Sequence, residues 1–264
     1  MQSVGLLLLV LNSAASMVNA QLQGFNYGAT FEDGSCRLVS DFAGAFNSAR
    51  NLVGTGGGFS SARLYTTIQC GTTNAPSSAI QAAIDTDTSL LLGLWASSGD
   101  AVFDNEIAAL SSAVAQYGFA FTDRIIGISV GSEDLYRSSP QGIANEAGVG
   151  VGSATIVRYI NQVKDLVSQT PLLQGKPVGH VDTWTAWVLP ENAAVVAAVD
   201  WLGHNSFPYF EATLPNSIED GESVFFNALG ATEGVGSGKP VWVTETGWPH
   251  GRFPHYELPF SIPL

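Results

Sequence analysis

The sequence predicts an α/β fold, a (β/α)8 TIM barrel that is incomplete, with seven strands recognisable and the eighth βα unit missing. From Gln21 onward, short apolar or β-branched runs alternate with longer stretches of helical periodicity, which is typical of βα units. Polar and aromatic residues follow nearly every predicted strand, as they do where a barrel assembles its site from many strands. An open doubly wound sheet would concentrate such residues at one switch point, so the barrel is favoured.

The strands are predicted by short runs that end in Gly, Ser or Asn. The run 90–95 is apolar on both faces, as expected of a parallel sheet covered by helices. The predicted strands are 22–29, 61–67, 89–96, 124–133, 177–184, 201–209 and 240–248.

The helices are predicted by their apolar periodicity. It is clearest in 101–117, where Val102, Ile107 and Leu110 recur at helical steps. The predicted helices are 39–53, 77–85, 101–117, 154–168, 192–199 and 217–229.

Composition and charge exclude several classes of protein. The chain has 264 residues with 10 Lys and Arg against 23 Asp and Glu, and the formal net charge is −13. This charge disfavours nucleic acid or an anionic membrane as a partner, because phosphate binding needs a clustered positive surface. The apolar content of 45% suits one large core. We therefore expect a single domain over 21–249, a monomer, with no transmembrane segment because no apolar run reaches about 18 residues.

The N-terminal segment and the cysteines indicate a secreted protein. Residues 1–20 have an apolar run at 4–11 and small residues up to Ala20, which predicts a signal peptide. We expect the mature chain outside the cell or in the cell wall. Cys36 and Cys70 are the only two cysteines, and in an oxidising compartment they could pair or stay as free thiols.

The strongest functional signal is a pair of glutamates at the ends of two predicted strands. In 125–133, the two-residue alternation of a strand places Glu133 on an inward face with small residues and Ile126 on the opposite face. In 241–249, Glu245 shares its face with two valines and is expected to point inward as well. The alternative is that both are solvated glutamates at strand ends.

Two converging carboxyl groups among aromatic residues match the chemistry of glycoside hydrolysis. A carboxylate after an apolar strand is costly to bury unless it is paired, hydrogen-bonded or functional. In glycosidases one carboxylic acid protonates the departing oxygen while the other attacks or stabilises the oxocarbenium-like centre. The pKa values of the two groups must differ for this division of roles.

Five segments carry a resemblance to a known family: GFNYG (24–28), VGSE (130–133), LYR (135–137), VDTW (181–184) and WVTETGWP (242–249). They resemble fungal-type family 17 glycoside hydrolases, the secreted β-1,3-glucanases and glucanosyltransferases, from about residue 22 to residue 249. The resemblance implies a (β/α)8 barrel and a retaining mechanism, with Glu133 corresponding to the acid/base and Glu245 to the nucleophile. It also implies β-glucan as the substrate and no cofactor. Hydrolysis and transglycosylation share the first half-reaction, so both stay open.

The same resemblance suggests sugar-binding roles for seven further residues. Tyr and Trp rings offer flat faces to the C–H faces of sugars, while Asp and Asn direct hydrogen bonds to hydroxyls. Ordinary packing is the alternative for each aromatic residue. The candidates are Tyr27, Tyr65, Asp182, Trp184, Asn205, Tyr209 and Trp248.

The segment 250–264 departs from the family pattern, in which a helix, an eighth strand and a final helix follow. Its three prolines suit neither a strand nor a helix. We expect open edges on the first and seventh strands and a truncated, marginally stable chain that is weakly active or inactive. A catalytically impaired carbohydrate-binding or wall protein is therefore the alternative function.

Other motifs are weaker. Ser129 stands in a G-x-S-x-G pattern, but β-branched residues on both sides place it in mid-strand rather than on the sharp turn that a serine hydrolase needs. The four histidines lack metal-ligand spacing, so we expect no metal site.

Overall fold

The structure is a computed structural model that describes residues 22–211, 213–215 and 217–249. The predicted signal peptide 1–20 and the segment 250–264 lie outside the described residues.

Seven parallel strands form one sheet in the order of the chain. They are β1 (Gln23–Tyr27), β2 (Phe59–Leu64), β3 (Ser89–Leu94), β4 (Ile125–Ser132), β5 (Val178–Thr183), β6 (Trp201–Asn205) and β7 (Val241–Glu245). The side-chain amide of Asn26 on β1 donates to the carbonyl of Thr244 on β7 at 2.9 Å, so the two edge strands of the described sheet approach each other. The sheet is therefore a nearly closed, incomplete TIM barrel, which confirms the predicted fold class.

Ten α-helices are seen in the described part of the chain. They are α1 (Val39–Arg50), α2 (Ser78–Thr86), α3 (Asp100–Tyr117), α4 (Phe119–Thr122), α5 (Asp134–Ser138), α6 (Pro140–Ala144), α7 (Ser153–Gln169), α8 (Trp184–Trp187), α9 (Ala193–Ala198) and α10 (Gly221–Val235). Short 3-10 helices occupy Pro171–Leu173, Pro190–Asn192 and Pro208–Phe210. The six predicted helices correspond to α1, α2, α3, α7, α9 and α10, while the four- and five-residue helices are too short to show a period. Within the described ranges no helix combines the length and apolarity that a membrane crossing needs.

The main core lies between the strands and the helices, and a smaller apolar cluster fills the barrel interior. Trp201 and Trp242 stack inside the barrel with ring centroids 4.2 Å apart. A Cβ at Gly127 would lie 2.8 Å from the Trp242 ring, so this position needs glycine. The expectation for Ile126 is wrong: it packs against the interior cluster, because the β3–β4 register shifts at Leu90 and breaks the alternation.

Cys36 and Cys70 are joined by a disulfide, with their Cα atoms 5.4 Å apart. The bond connects the loop after β1 to the loop after β2. Both loops follow the carboxyl ends of their strands, so the disulfide restrains the rim of the barrel mouth.

Candidate active site

The two glutamates lie at the same mouth of the barrel and are linked through the end of β6. Glu133 follows β4 and Glu245 ends β7. The Asn205 amide nitrogen donates to Glu133 Oε1 at 2.9 Å, and its carbonyl oxygen accepts from the Thr244 hydroxyl at 2.7 Å. One amide side chain therefore bridges Glu133 and the strand that carries Glu245.

The backbone before Glu133 departs from the regular alternation of a strand. The register between β4 and β5 shifts between Ser129 and Ser132. Gly131 and Glu133 both have positive φ, 77° and 59°. A non-glycine residue in this left-handed region is strained and persists only where its surroundings hold it. The chain turns at Glu133, and this turn directs the side chain.

Asp182 stabilises this turn by accepting hydrogen bonds from the backbone that follows Glu133. It is fully buried, and its two oxygens accept hydrogen bonds from the backbone N–H groups of Leu135 (2.9 Å) and Tyr136 (3.2 Å), at the start of α5. They also accept from the Thr183 N–H at 2.8 Å. The structure thus corrects the expectation that Asp182 binds sugar, because its oxygens are occupied and it has no exposed surface.

A buried set of ionisable groups surrounds Asp182. His180 lies between the Val130 carbonyl (2.5 Å) and Asp182 (2.9 Å). Burial alone would lower the pKa of His180, but its hydrogen bond to Asp182 and the charges of Asp182 and Asp134 raise it above its ordinary value. Asp134 accepts from the Ser132 N–H at 2.9 Å, and burial raises the pKa of this carboxyl. Together these groups fix the residues on either side of Glu133.

Glu245 is held by two side chains from the end of β2. Arg63 donates to Glu245 Oε1 at 2.6 Å, and the Tyr65 hydroxyl donates to the same oxygen at 2.9 Å. Burial and the Glu245 charge raise the pKa of Tyr65 above its ordinary value, so the hydroxyl keeps its proton and donates. Arg63 also donates to the Ser132 hydroxyl at 2.9 Å, which connects the Glu245 side of the site to the strand before Glu133.

Arg63 is a residue of the site that the sequence patterns did not predict. It is only 5% exposed, yet it lies inside a predicted strand. A buried guanidinium is costly unless it is paired, so a charged residue within an apolar strand was the signal that could have found it.

The environment distinguishes the two carboxyl groups. Burial and then the charge of Glu245 raise the pKa of Glu133 to about 7, although the Asn205 hydrogen bond opposes this. The charge of Arg137, 3.9 Å from Glu133 Oε2, also opposes it. Glu133 therefore keeps its proton in mildly acidic solution, while Glu245 has the Arg63 guanidinium as counter-charge.

Three of the candidate aromatic residues lie beyond the carboxyl ends of the strands rather than on the strands. Trp184 begins α8, and its indole N–H donates to Glu211 at 2.6 Å. Tyr209 lies in the 3-10 helix after β6, with its ring edge-on to Trp248 at 5.6 Å. The predicted strand 201–209 is therefore wrong beyond Asn205, and 177–184 is wrong at Trp184. Trp248 also lines an open cavity of about 350 Å³ beside α10.

Tyr27 has a different position. Its half-buried ring packs edge-on against Phe46 of α1, with centroids 5.0 Å apart, and contributes to the main core. The ring thus packs against the helix layer, and the sugar-binding role suggested for Tyr27 stays a prediction.

Ser129 lies within β4, is buried, and donates to the Gly131 carbonyl at 2.9 Å. It is not on a strand-to-helix turn, so the serine-hydrolase interpretation is not supported. The described residues contain no group of three or more His, Cys, Asp or Glu that could hold a metal ion.

Comparison with known proteins places the chain among glycosidases. Residues 24–255 match the family described as the BtgE/BtgC glycoside hydrolase domain. The chain is 54% identical over 249 residues to the "Probable glucan endo-1,3-beta-glucosidase eglC" of Aspergillus oryzae, covering 94% of this chain and 52% of that protein. The protein of the same name from Aspergillus fumigatus is also 54% identical, with 94% and 54% covered. The chain thus spans about half the length of these curated relatives.

A solved structure shares the fold. The glycoside hydrolase family 17 β-1,3-glucanosyltransferase from Rhizomucor miehei superimposes with a TM-score of 0.64 at 29% identity, covering 87% of this chain and 73% of that one. An active-site mutant of the same enzyme, solved with laminaritriose, gives a TM-score of 0.62 at 27% identity, with the same coverage. Because the family match spans most of the sequence, the chain belongs to the BtgE/BtgC glycoside hydrolase domain family, and its resemblance to fungal family 17 glycoside hydrolases is confirmed.

Proposed function

We propose that this chain is the catalytic barrel of a retaining glycoside hydrolase that cleaves β-1,3-glucan. The observation that carries the proposal is the pairing of a buried glutamate of raised pKa, Glu133, with a second glutamate, Glu245, that is bound to an arginine at the same mouth. Retaining glycosidases need one protonated and one ionised carboxyl group that flank the scissile bond.

In this mechanism Glu245 is the nucleophile. Its Oε1 accepts hydrogen bonds from Arg63 and Tyr65, so we assign the attack on the anomeric carbon to Oε2. A bond forms between this oxygen and the anomeric carbon as the glycosidic C–O bond breaks, and the departing oxygen takes the proton of Glu133.

In the second step Glu133 is the base. It removes a proton from water, whose oxygen bonds to the anomeric carbon and releases the Glu245 carboxylate. An acceptor sugar hydroxyl in place of water gives transglycosylation, which is the activity named for the Rhizomucor miehei relative. The exposed ring of Tyr209, with Trp184 and Trp248, offers flat surfaces for glucan residues on either side of the scissile bond.

We also propose that the protein acts outside the cell, in or near the cell wall. The Cys36–Cys70 disulfide supports this location, because such bonds persist in oxidising compartments.

The test is turnover of laminaritetraose by the purified chain, with Glu245→Gln, Glu133→Gln and the control Glu233→Gln. Glu233 is an exposed glutamate near the end of α10, and it has no role in the proposed mechanism. We expect kcat to fall at least about 1,000-fold in Glu245→Gln, which is about 4 kcal/mol of barrier, and to stay unchanged in the control.

Proton NMR of the first product distinguishes the stereochemistry. A β-anomer formed first supports retention, and an α-anomer formed first contradicts it. Products longer than the substrate indicate transglycosylation. Full turnover in Glu245→Gln would overturn the residue assignment, and glucan binding by the wild type without any turnover would indicate a carbohydrate-binding protein instead.

A further inference from the structure

Glu106 is a buried acidic residue outside the two catalytic candidates. It lies on α3, is only 1% exposed, and faces the ends of two strands. The Thr66 hydroxyl and the Thr67 N–H, the latter at 2.8 Å, donate to its two oxygens, and a backbone hydrogen bond from Trp95 reaches the same carboxyl group. A carboxyl group on the buried face of a helix is costly, so these bonds are what make it tolerable there.

The first connection runs to Glu245. Thr66 and Thr67 directly follow Tyr65, whose hydroxyl donates to Glu245 Oε1 at 2.9 Å. The Thr67 hydroxyl also donates to the Gly93 carbonyl of β3 at 3.0 Å. Glu106 therefore fixes the backbone on the carboxyl side of Tyr65.

The second connection runs to Glu133. Trp95 follows β3, and its ring lies 5.2 Å from the Arg137 guanidinium carbon in a cation–π contact. Arg137 in turn lies 3.9 Å from Glu133 Oε2 and donates to the Ser132 carbonyl at 2.8 Å. One carboxyl group thus holds two loops, and each loop contacts a side chain that meets one of the candidate catalytic glutamates.

We propose that Glu106 is a positioning residue that holds the ends of β2 and β3 so that Tyr65 and Arg137 keep their contacts with Glu245 and Glu133. The inference rests on the proposed function, because it assigns Glu106 a role in the same reaction. Glu106 acts through Tyr65 and Trp95 and does not itself touch the substrate.

Three variants separate positioning from loss of charge. Burial raises the pKa of Glu106 to about 7, so in mildly acidic solution the side chain is a neutral acid that glutamine matches in shape and charge. The glutamine oxygen accepts from the Thr67 N–H, and its NH2 group donates to the Thr66 hydroxyl oxygen. At pH 5 we expect Glu106→Gln to keep kcat within about 3-fold, while Glu106→Ala lowers kcat about 10- to 100-fold and leaves KM within about 3-fold. Asp104→Asn is the control, because Asp104 is an exposed acid on the same helix.

A double-mutant cycle tests the route through Tyr65. If Glu106 acts through Tyr65, the loss of kcat in Glu106→Ala/Tyr65→Phe is smaller than the product of the two single losses. Two independent losses that multiply would overturn this route. If Glu106→Ala does not fold, Thr66→Val removes one bond of the same contact without leaving a cavity, and the same cycle is run with it.

A measurement without substrate keeps the two proposals distinguishable. Carbon-13 NMR titration of Glu133 in Glu106→Ala should show its midpoint about 0.5 higher, because the Arg137 charge that lowers the pKa of Glu133 is less well placed. Wild-type protein without turnover would remove the proposed function. An unchanged Glu133 midpoint together with unchanged kcat in Glu106→Ala would remove the positioning role.

Discussion

Neutralising Glu245 should lower the pKa of Glu133, because the Glu245 charge is one of the causes that raise it. The pKa of Glu133 rises from 4.5 to about 7, with burial as the largest cause and the Glu245 charge as the second. At about 1.4 kcal/mol per pKa unit, this rise corresponds to about 3 kcal/mol against the charged form. Two charges at the spacing of a retaining pair, about 5.5 Å, repel by about 1 kcal/mol in a water-filled cleft and by about 3 kcal/mol at an effective dielectric of about 20. Because the mouth is open to solvent, we expect Glu245→Gln to lower the pKa of Glu133 by about 1.

The assay is a carbon-13 NMR titration of protein labelled at the glutamate carboxyl carbons. Glu133→Gln assigns the resonance, and Glu233→Gln controls for the loss of a charge elsewhere. A Glu133 midpoint that stays the same or rises in Glu245→Gln would show that the two carboxyl groups do not face each other. A wild-type midpoint near 4.5 would instead refute the argument from burial.

In the proposed mechanism, loss of the Glu245 charge lets Glu133 change from acid to base. Once Glu245 is esterified by the sugar, its negative charge is gone. The repulsion that holds the proton on Glu133 is then removed, so its pKa falls and it becomes a carboxylate that can accept a proton from water.

Three other substitutions test the surroundings of the two glutamates. Asp182→Asn removes an acceptor for the N–H groups at the start of α5, so we expect about 2 to 3 kcal/mol lower stability and a lower kcat, measured by thermal melting and turnover. Arg63→Lys cannot reach both Glu245 and Ser132, so kcat should fall about 10-fold or more with little change in melting temperature; an unchanged kcat would contradict the ion pair. Burial lowers the pKa of His204 to about 4, so as the pH falls the unfolded chain takes up this proton before the folded chain does. The contribution of neutral His204 to the free energy of unfolding is therefore complete above about pH 6.5 and is lost as the pH falls toward about 4. His204→Phe should remove up to about 3 kcal/mol of this pH dependence, measured as melting temperature between pH 7.5 and pH 4.5, and an identical pH dependence in both proteins would contradict it.

The sequence predicted the barrel and the position of two glutamates at its mouth, because both depend on local patterns. Apolar runs mark each strand, and an acid that directly follows such a run stands out whatever the rest of the chain does. The same patterns placed Ser129 within its strand. The Cys36–Cys70 disulfide is one of the two alternatives that the sequence left open.

What the sequence did not predict depends on contacts between distant segments. Asp182 looks like a sugar ligand from its position after β5, and only the packing of α5 against it shows that its oxygens are occupied. The end of β4 could not be inferred from alternation, because Gly131 and Glu133 take positive φ values that break the two-residue period. Tyr27 faces the helices because Phe46 of α1 lies against that side of β1.

The position of the Glu133 proton results from a balance that Asn205 helps to set. The Thr244 hydroxyl donates to the Asn205 carbonyl oxygen, so the amide nitrogen is turned toward Glu133 and favours its carboxylate form. Arg137 acts in the same direction, while burial and Glu245 act in the opposite one. With burial and the Glu245 charge alone, the pKa of Glu133 would be too high for the carboxylate to act as a base. With the Asn205 hydrogen bond and the Arg137 charge alone, its pKa would be too low for the acid to keep its proton until the reaction begins. Because the opposing influences leave the pKa of Glu133 at about 7, this side chain can give up a proton in the first step of the proposed mechanism and take one back in the second.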